Sequence, residues 1–247
     1  MHILCTSYAQ SPTLLFTKLL LSHCTMKDES RTITSVSIAA ISRHRIVLDG
    51  RGVRTLVVLQ GCPLRCAYCL NRFAIDPTAE RKHYTAEELI REVMADNLYF
   101  LASGGGVTFG GGEPLLQSHF ISEFRKKCPA AWSIDVETSL NVPIAHLAQA
   151  AQDIQHFSVD IKDMNPSVYQ RYTMCDNTQT IANLQWLLAQ GRADDITVRV
   201  PLIPHYNTEK DVAQSIEKLK EMGVRHFDRL TYVIRDENSN LLNINTI

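Results

Sequence analysis

The chain has 247 residues, a net charge of −1 and ordinary proportions of hydrophobic (45%) and charged (21%) residues. That length suits one α/β barrel-like domain, the near-zero charge leaves no electrostatic footprint for nucleic acid, and no apolar run reaches the roughly 18 residues of a membrane span. Seven cysteines, three of them clustered, form no disulfide framework and suit a reducing, cytoplasmic compartment in which thiols stay available to metal.

Residues 1–33 read unlike the rest. The apolar run Leu14–Leu21 is interrupted by Lys18, and no basic start or small-residue cleavage site marks a signal peptide. This stretch is expected to be a disordered extension or the product of an early start codon, with Met26 as the alternative beginning. Residues 34–247 are read as a single domain.

From Arg54 the chain alternates strand and helix. Residues 54–60 (RTLVVLQ) form a short β-branched apolar run, as a buried parallel strand requires. A cysteine-rich loop follows. Thr85, with Glu88 three residues on, forms a capping box that opens a helix, with Leu89, Ile90, Val93 and Leu101 on its apolar face and Gly104 to Gly106 at its end. A second strand centres on Val107–Phe109, and a helix around Leu116, Phe120, Ile121 and Phe124 ends at Lys126-Lys127. Residues 133–138 (SIDVET) form the third strand. Pro143 then opens a helix with Ile144, Leu147, Ala151 and Ile154 on one face. Residues 156–162 form the fourth strand. A short helix from Asn165-Pro166 and a longer one around Ile181, Leu184, Leu187 and Leu188 come next. The fifth strand spans residues 196–203, and Pro201 predicts that its pairing stops early. Thr208 and Asp211 cap the next helix, which turns Val212, Ile216 and Leu219 inward. Residues 227–234 form the sixth strand, and a polar tail follows. Such alternation predicts a parallel sheet with helices outside it. Six units are too few to close an eight-stranded barrel, so the fold expected is an open, partial (β/α)6 barrel.

Chemistry concentrates in the loop after the first strand. Cys62, Cys66 and Cys69 are spaced C-x3-C-x2-C. Thiolates are soft ligands and hold iron–sulfur clusters. Three of them leave one iron of a four-iron cluster open to a substrate. A structural zinc site is the competing reading, but such sites are usually closed by four ligands in two pairs, and no second pair follows here. The other cysteines (Cys5, Cys24, Cys128 and Cys175) are read as small apolar residues.

Polar residues recur at the strand ends, where barrel folds carry their working groups. Gly110-Gly111-Gly112-Glu113-Pro114 follows the second strand, Glu137-Thr138-Ser139 ends the third, Asp160-Ile161-Lys162-Asp163 ends the fourth, and Arg199 lies in the fifth. Charged residues in buried strands are costly unless paired or functional. Asp160 and Lys162 taken alone read equally well as an ordinary ion pair. The glycine loop lacks the Lys-Ser/Thr ending of a phosphate loop, and Glu113 would repel phosphate.

The loop from Cys62 to Cys69, with Tyr68 before its last cysteine, resembles the signature of the radical S-adenosylmethionine (radical SAM) superfamily. Asp49-Gly50-Arg51-Gly52 upstream and the segment from Gly105 to Gln117 look like the glycyl-radical-enzyme activating enzymes within it. The resemblance implies a [4Fe–4S] cluster on Cys62, Cys66 and Cys69. It also implies S-adenosylmethionine bound near Tyr68, Leu70, Gly111, Gly112, Glu113, Glu137, Thr138, Asp160, Lys162 and Arg199, with Asp160, Lys162 and Arg199 carrying the catalytic charge. It implies reductive cleavage of S-adenosylmethionine to a 5′-deoxyadenosyl radical that takes a hydrogen from a glycine of a partner glycyl radical enzyme. Flavodoxin or ferredoxin is the electron donor expected, and a monomer the state expected. The chain departs from the pattern at Arg51 (usually Pro), at Leu70 (often His), at Glu137 (usually Asp), and at Leu230-Thr231-Tyr232-Val233, where a His is expected after strand six. A radical SAM enzyme acting on a small molecule, and a catalytically impaired homologue, are the alternatives.

Overall fold

The computed structural model describes residues 34–46, 50–79 and 81–228. The predicted N-terminal extension, most of the sixth strand, the Val233 departure and the polar tail lie outside the described residues. The strands are β1 (Ser35–Arg45), β2 (Arg54–Leu59), β3 (Lys82–Thr85), β4 (Gly106–Gly111), β5 (Ser133–Thr138), β6 (His156–Asp160), β7 (Ile196–Arg199) and β8 (His226–Asp228). They form one open sheet in the order β3-β1-β2-β4-β5-β6-β7-β8. The six from β2 to β8, β3 excepted, are parallel neighbours, as the alternation predicts. β1 and β3 are additions that the strand–helix reading omits: β1 runs antiparallel to β2, and β3 antiparallel to β1.

The helices are α1 (Arg72–Ile75), α2 (Ala86–Val93), α3 (Asn97–Ser103), α4 (Ser118–Lys127), α5 (Ile144–Ala150), α6 (Pro166–Thr173), α7 (Thr178–Ala189) and α8 (Glu209–Glu221). Both predicted capping boxes form, at Thr85 with Glu88 and at Thr208 with Asp211. The Asn165 side chain caps α6 as expected. Two predicted core residues are corrected. Leu101 is 54% exposed, because a 3-10 turn over Met94–Asp96 breaks the helix and rotates Phe100 into the core instead. Ile144 is 43% exposed, because it opens α5 at its solvent end. The fourth strand stops at Asp160 and the fifth at Arg199, two residues before Pro201, which has no amide to donate.

Residues alternate across the sheet. Val57, Leu59, Val107, Phe109, Ile134, Val136, Phe157, Val159, Ile196 and Val198 belong to the main core shared with the helices. The intervening positions carry Thr108, Asp135, Glu137, Ser158, Asp160, Thr197 and Arg199. One face of the sheet therefore packs on the helices; the other is polar from β4 to β7, while at β2 Leu56 and Val58 form a small apolar cluster with Ala74. The polar residues meet in register: Thr108 opposite Asp135, Glu137 opposite Ser158, and Asp160 opposite Arg199. Arg54 sits fully buried at the start of β2. It pairs with Asp135 at 3.1 Å and donates to Thr108 Oγ1 at 3.0 Å and to the Val107 carbonyl at 2.7 Å.

Candidate functional site

The cysteine loop leaves the end of β2 and is tied down on two sides. On the glycine-loop side, Gly112 N donates to the Leu59 carbonyl at 3.1 Å, Glu113 N to the Gly61 carbonyl at 2.7 Å, and Asn71 Nδ2 to the Gly111 carbonyl at 3.2 Å. On the other side, Arg65 N and Ala67 N donate to the Thr173 and Tyr172 carbonyls, at the end of α6. The Tyr68 ring lies edge-to-face with Tyr206 (5.6 Å) and tilted against Tyr172 (6.2 Å).

Cys62, Cys66 and Cys69 are half-buried free thiols. Burial pushes Cys62 up to about 12. A backbone bond near Leu64 opposes the rise, while Glu113 and the other two cysteines reinforce it. Burial likewise lifts Cys66 to about 11, against the pull of Lys162. The three groups thus lie within electrostatic reach of one another. Among the described residues, however, no three His, Cys, Asp or Glu side chains converge on a single ion-sized point. A metal bound at this loop would favour the thiolate form of its cysteines and draw their protons off.

The resemblance places S-adenosylmethionine near Gly111 and Gly112. The structure adds close protein neighbours, β2 beside Gly111 and the start of the cysteine loop beside Gly112. Gly111 has φ +94°, and a Cβ there would lie 2.2 Å from Val58 Cγ1; a Cβ on Gly112 would lie 2.1 Å from the Gly61 carbonyl oxygen. Gly112→Ala therefore forces the two loops apart. It is expected to cost about 1–3 kcal/mol and to lower iron uptake on reconstitution, checked by thermal melts and iron analysis.

Glu113 is 1% exposed. Its carboxylate accepts from Thr138 Oγ1 (2.6 Å), Ser139 N (2.9 Å), Ser139 Oγ (2.7 Å) and Leu115 N (3.2 Å). Burial pushes this carboxyl up, and those bonds restrain the rise. Its four acceptor positions are taken, so in this structure Glu113 and Thr138 stitch the loop after β4 to the loop after β5.

Four charges form a chain across three strand ends. Arg199 Nη1 meets Glu137 Oε1 at 2.8 Å, Arg199 Nε meets Asp160 Oδ1 at 2.6 Å, and Lys162 Nζ meets Asp160 Oδ2 at 2.9 Å. Burial alone would raise Asp160, but Lys162 and Arg199 more than offset it and hold the carboxyl at about 2. Arg199 is raised by Asp160 and Glu137 against the opposing effect of burial. A carboxyl lowered by folding adds stability above its ordinary range and loses it as pH falls through its folded value. The stability gap between wild type and Asp160→Asn is therefore expected to hold steady above about pH 4 and to narrow as pH falls toward 2, measured by urea unfolding.

The profile of the radical SAM superfamily matches residues 56–219, which span β2 to α8 and hold every residue of this site. The chain belongs to the radical SAM superfamily. Radical SAM proteins use a [4Fe–4S] cluster and S-adenosylmethionine, and the three cysteines such a cluster needs are present here. Pyruvate formate-lyase 1-activating enzyme of Escherichia coli K12 is 29% identical over 195 residues, covering 75% of this chain and 76% of that one. The (2S)-3-sulfopropanediol dehydratase activating enzyme of Klebsiella oxytoca is 28% identical, covering 65% and 69%. SuiB of Streptococcus suis, solved bound to S-adenosylmethionine, shares the radical SAM fold at a TM-score of 0.59 and 12% identity, over 74% of this chain and 41% of that one.

Within this radical SAM site the structure brings together Cys62, Cys66 and Cys69, with Gly111 and Gly112 beside them, and separately joins Glu137, Asp160, Lys162 and Arg199. Leu70 stands exposed at the loop's edge. Ser139, read from the sequence only as a polar strand-end residue, supports Glu113; sequence reasoning missed Tyr172 and Tyr206 around Tyr68, and Asn183, which donates to the Leu140 and Val142 carbonyls at 2.8 Å each. Asp163, read from the sequence as a polar strand-end residue, accepts from Asn165 N at 2.8 Å and Asn207 Nδ2 at 3.2 Å, joining the loops after β6 and β7. The available signal was polar residues at buried positions of α7 and of the loop before α8. Among the described residues no helix is long and apolar enough to cross a membrane.

Proposed function

We propose that this chain is an activating enzyme that generates a glycyl radical on a partner enzyme. The observation that carries the reading is the gathering of the thiol loop, the glycine loop and the charge chain at one end of a parallel sheet. The activating enzymes among its relatives narrow it from the superfamily to this class. Cys62, Cys66 and Cys69 would hold a [4Fe–4S] cluster, which when bound would supply the reducing electron for cleavage of S-adenosylmethionine to methionine and a 5′-deoxyadenosyl radical. The chain itself orients and shields. Glu137 and Asp160 offer carboxylates to an ammonium group, and Lys162 and Arg199 offer cations to a carboxylate, so a zwitterionic amino acid finds both partners on one rim. Gly111 and Gly112 present backbone between this rim and the thiols. The reading needs no general base, and its protein substrate is the glycine-bearing loop of the partner.

The test is anaerobic. The protein is reconstituted with iron and sulfide, reduced, and given S-adenosylmethionine, while the EPR spectrum and 5′-deoxyadenosine are followed. A spectrum that shifts on adding S-adenosylmethionine, with 5′-deoxyadenosine formed and a glycyl radical on an added partner, supports the proposal. A reduced cluster that ignores S-adenosylmethionine overturns it.

A further inference from the structure

Between β7 and α8 the chain makes a tight turn over residues 203–207, shortly after Arg199 of the charge chain. Tyr206 N and Asn207 N both donate to the Ile203 carbonyl, at 3.1 Å each. His205 takes a left-handed backbone at φ +66°, which costs energy in a residue with a Cβ. The turn is held in spite of that cost. Asn207 is 8% exposed; its Oδ1 accepts from Ile203 N at 2.6 Å, and its Nδ2 donates to the Pro201 carbonyl at 3.1 Å and to Asp163 Oδ2 at 3.2 Å. Asp163, itself buried, accepts in addition from Ser215 Oγ of α8 at 3.3 Å. From α6, Arg171 donates to the Tyr206 carbonyl at 2.5 Å and lies 5.6 Å over the Tyr206 ring. Strained backbone persists where its surroundings over-determine it, and such places gather at ligand clamps and active sites.

The group this turn presents is the Tyr206 ring. It meets Tyr68 edge-to-face at 5.6 Å and Tyr172 edge-to-face at 5.0 Å. Tyr68 lies between Cys66 and Cys69. The end of α6 fixes the backbone one residue before it, where Ala67 N donates to the Tyr172 carbonyl at 3.0 Å. A backbone bond leaves both side-chain torsions of a tyrosine unset, whereas ring neighbours meeting it at an angle restrict both. Tyr206 and Tyr172 thus hold the Tyr68 ring from two different elements of the chain.

We infer that Tyr206 is a positioning residue for S-adenosylmethionine: it presets the Tyr68 ring at the angle in which that ring receives the adenosine part. This rests on the placement of S-adenosylmethionine beside Tyr68. Tyr206 acts through Tyr68 and does so before the ligand arrives, because the rings already meet. A ring ordered in advance costs the ligand no ordering entropy, so the effect falls on affinity. Once bound, the ligand is cleaved by groups other than Tyr206, so turnover at saturation keeps its rate.

The probe is S-adenosylmethionine itself, titrated by calorimetry against reconstituted but unreduced protein, so that binding is read without turnover. Tyr206→Ala is expected to weaken binding by about two- to tenfold, the worth of one edge-to-face ring contact, and Tyr206→Phe to restore it. In a Tyr68→Leu background Tyr206→Ala should weaken binding no further. With dithionite as reductant, Tyr206→Ala should raise KM by the same factor and leave kcat at the wild-type value. Equal affinity in Tyr206→Ala, a Phe variant as weak as the Ala variant, an undiminished effect in the Tyr68→Leu background, or a fall in kcat with KM unmoved overturns the inference. If Tyr206→Ala fails to fold, Tyr206→Leu keeps the bulk without the ring and faces the same outcomes. If Tyr68→Leu alone binds as tightly as wild type, the placement of S-adenosylmethionine at Tyr68 is what fails. The assignment of Tyr206 then falls with it, and the reading of the chain as an activating enzyme is untouched.

Discussion

Alanine at Cys66 is expected to reduce S-adenosylmethionine cleavage to background and to prevent assembly of a complete cluster. Cys66 is the central member of the triplet, half-buried and raised to about 11 by burial, with Lys162 drawing it back. Among the described residues the other thiols are Cys128, buried beside Arg125, and Cys175, whose sulfur lies 3.6 Å from the Pro63 carbonyl. Iron and sulfide analysis after reconstitution, together with 5′-deoxyadenosine formation, checks the result. The fold is expected to survive, because the loop is held by backbone bonds from Arg65 and Ala67 that the substitution leaves in place. Full turnover in Cys66→Ala would rule out the proposed chemistry.

The second large effect lies at the opposite end of the sheet. Arg54→Met is expected to destabilise the protein by about 3–5 kcal/mol, because Asp135 keeps its charge in a buried place without its partner. In a domain of this size each kcal/mol lowers the melting temperature by roughly 2–4 °C, so the variant should melt well below wild type. Burial already pushes the Asp135 carboxyl above its ordinary range, and Arg54 is the main group opposing that. A carboxyl raised by folding takes up protons in the native state first, so stability falls as pH climbs from its unfolded value through its folded one. The deficit of Arg54→Met should therefore be smallest near pH 4 and full at neutral pH. Replacing Asp135 by Leu in the same chain should recover most of the loss. Urea unfolding of the single and double variants across pH checks both statements.

Much of this architecture was legible in residue order, for reasons that differ by element. The parallel strands announced themselves through apolar runs such as RTLVVL, and the helix starts through Thr85 and Thr208 with their acidic partners three residues on. The thiol triplet was legible because ligand spacing within one loop is local. β1 was missed although Val36, Ile38 and Ala40 alternate with Ser35, Ser37 and Ala39. Its small residues give a weak pattern, and its antiparallel pairing with β2 and β3 is not stated by any local signal. Partnership was the harder matter. Arg199 bonds Glu137, which is 62 residues away, and Glu113 bonds Ser139, which is 26 away. No local pattern states which strand ends become neighbours. The resemblance puts the glycines after β4 near a ligand, and the fold adds a close protein neighbour to Gly112, the Gly61 carbonyl. Sequence showed that something must pass closely there, and only the fold shows what.

The added strand β1 has a bearing on durability. Because β1 covers one side of β2 and β4 the other, the strand that launches the thiol loop is hydrogen-bonded along both flanks. Amides of β2 should then exchange with deuterium only when the middle of the sheet opens, as slowly as any in the molecule. The loop inherits that anchorage at its first residue. Air that strips the iron would leave behind a scaffold still in its working shape, so a damaged molecule could be refilled instead of being refolded.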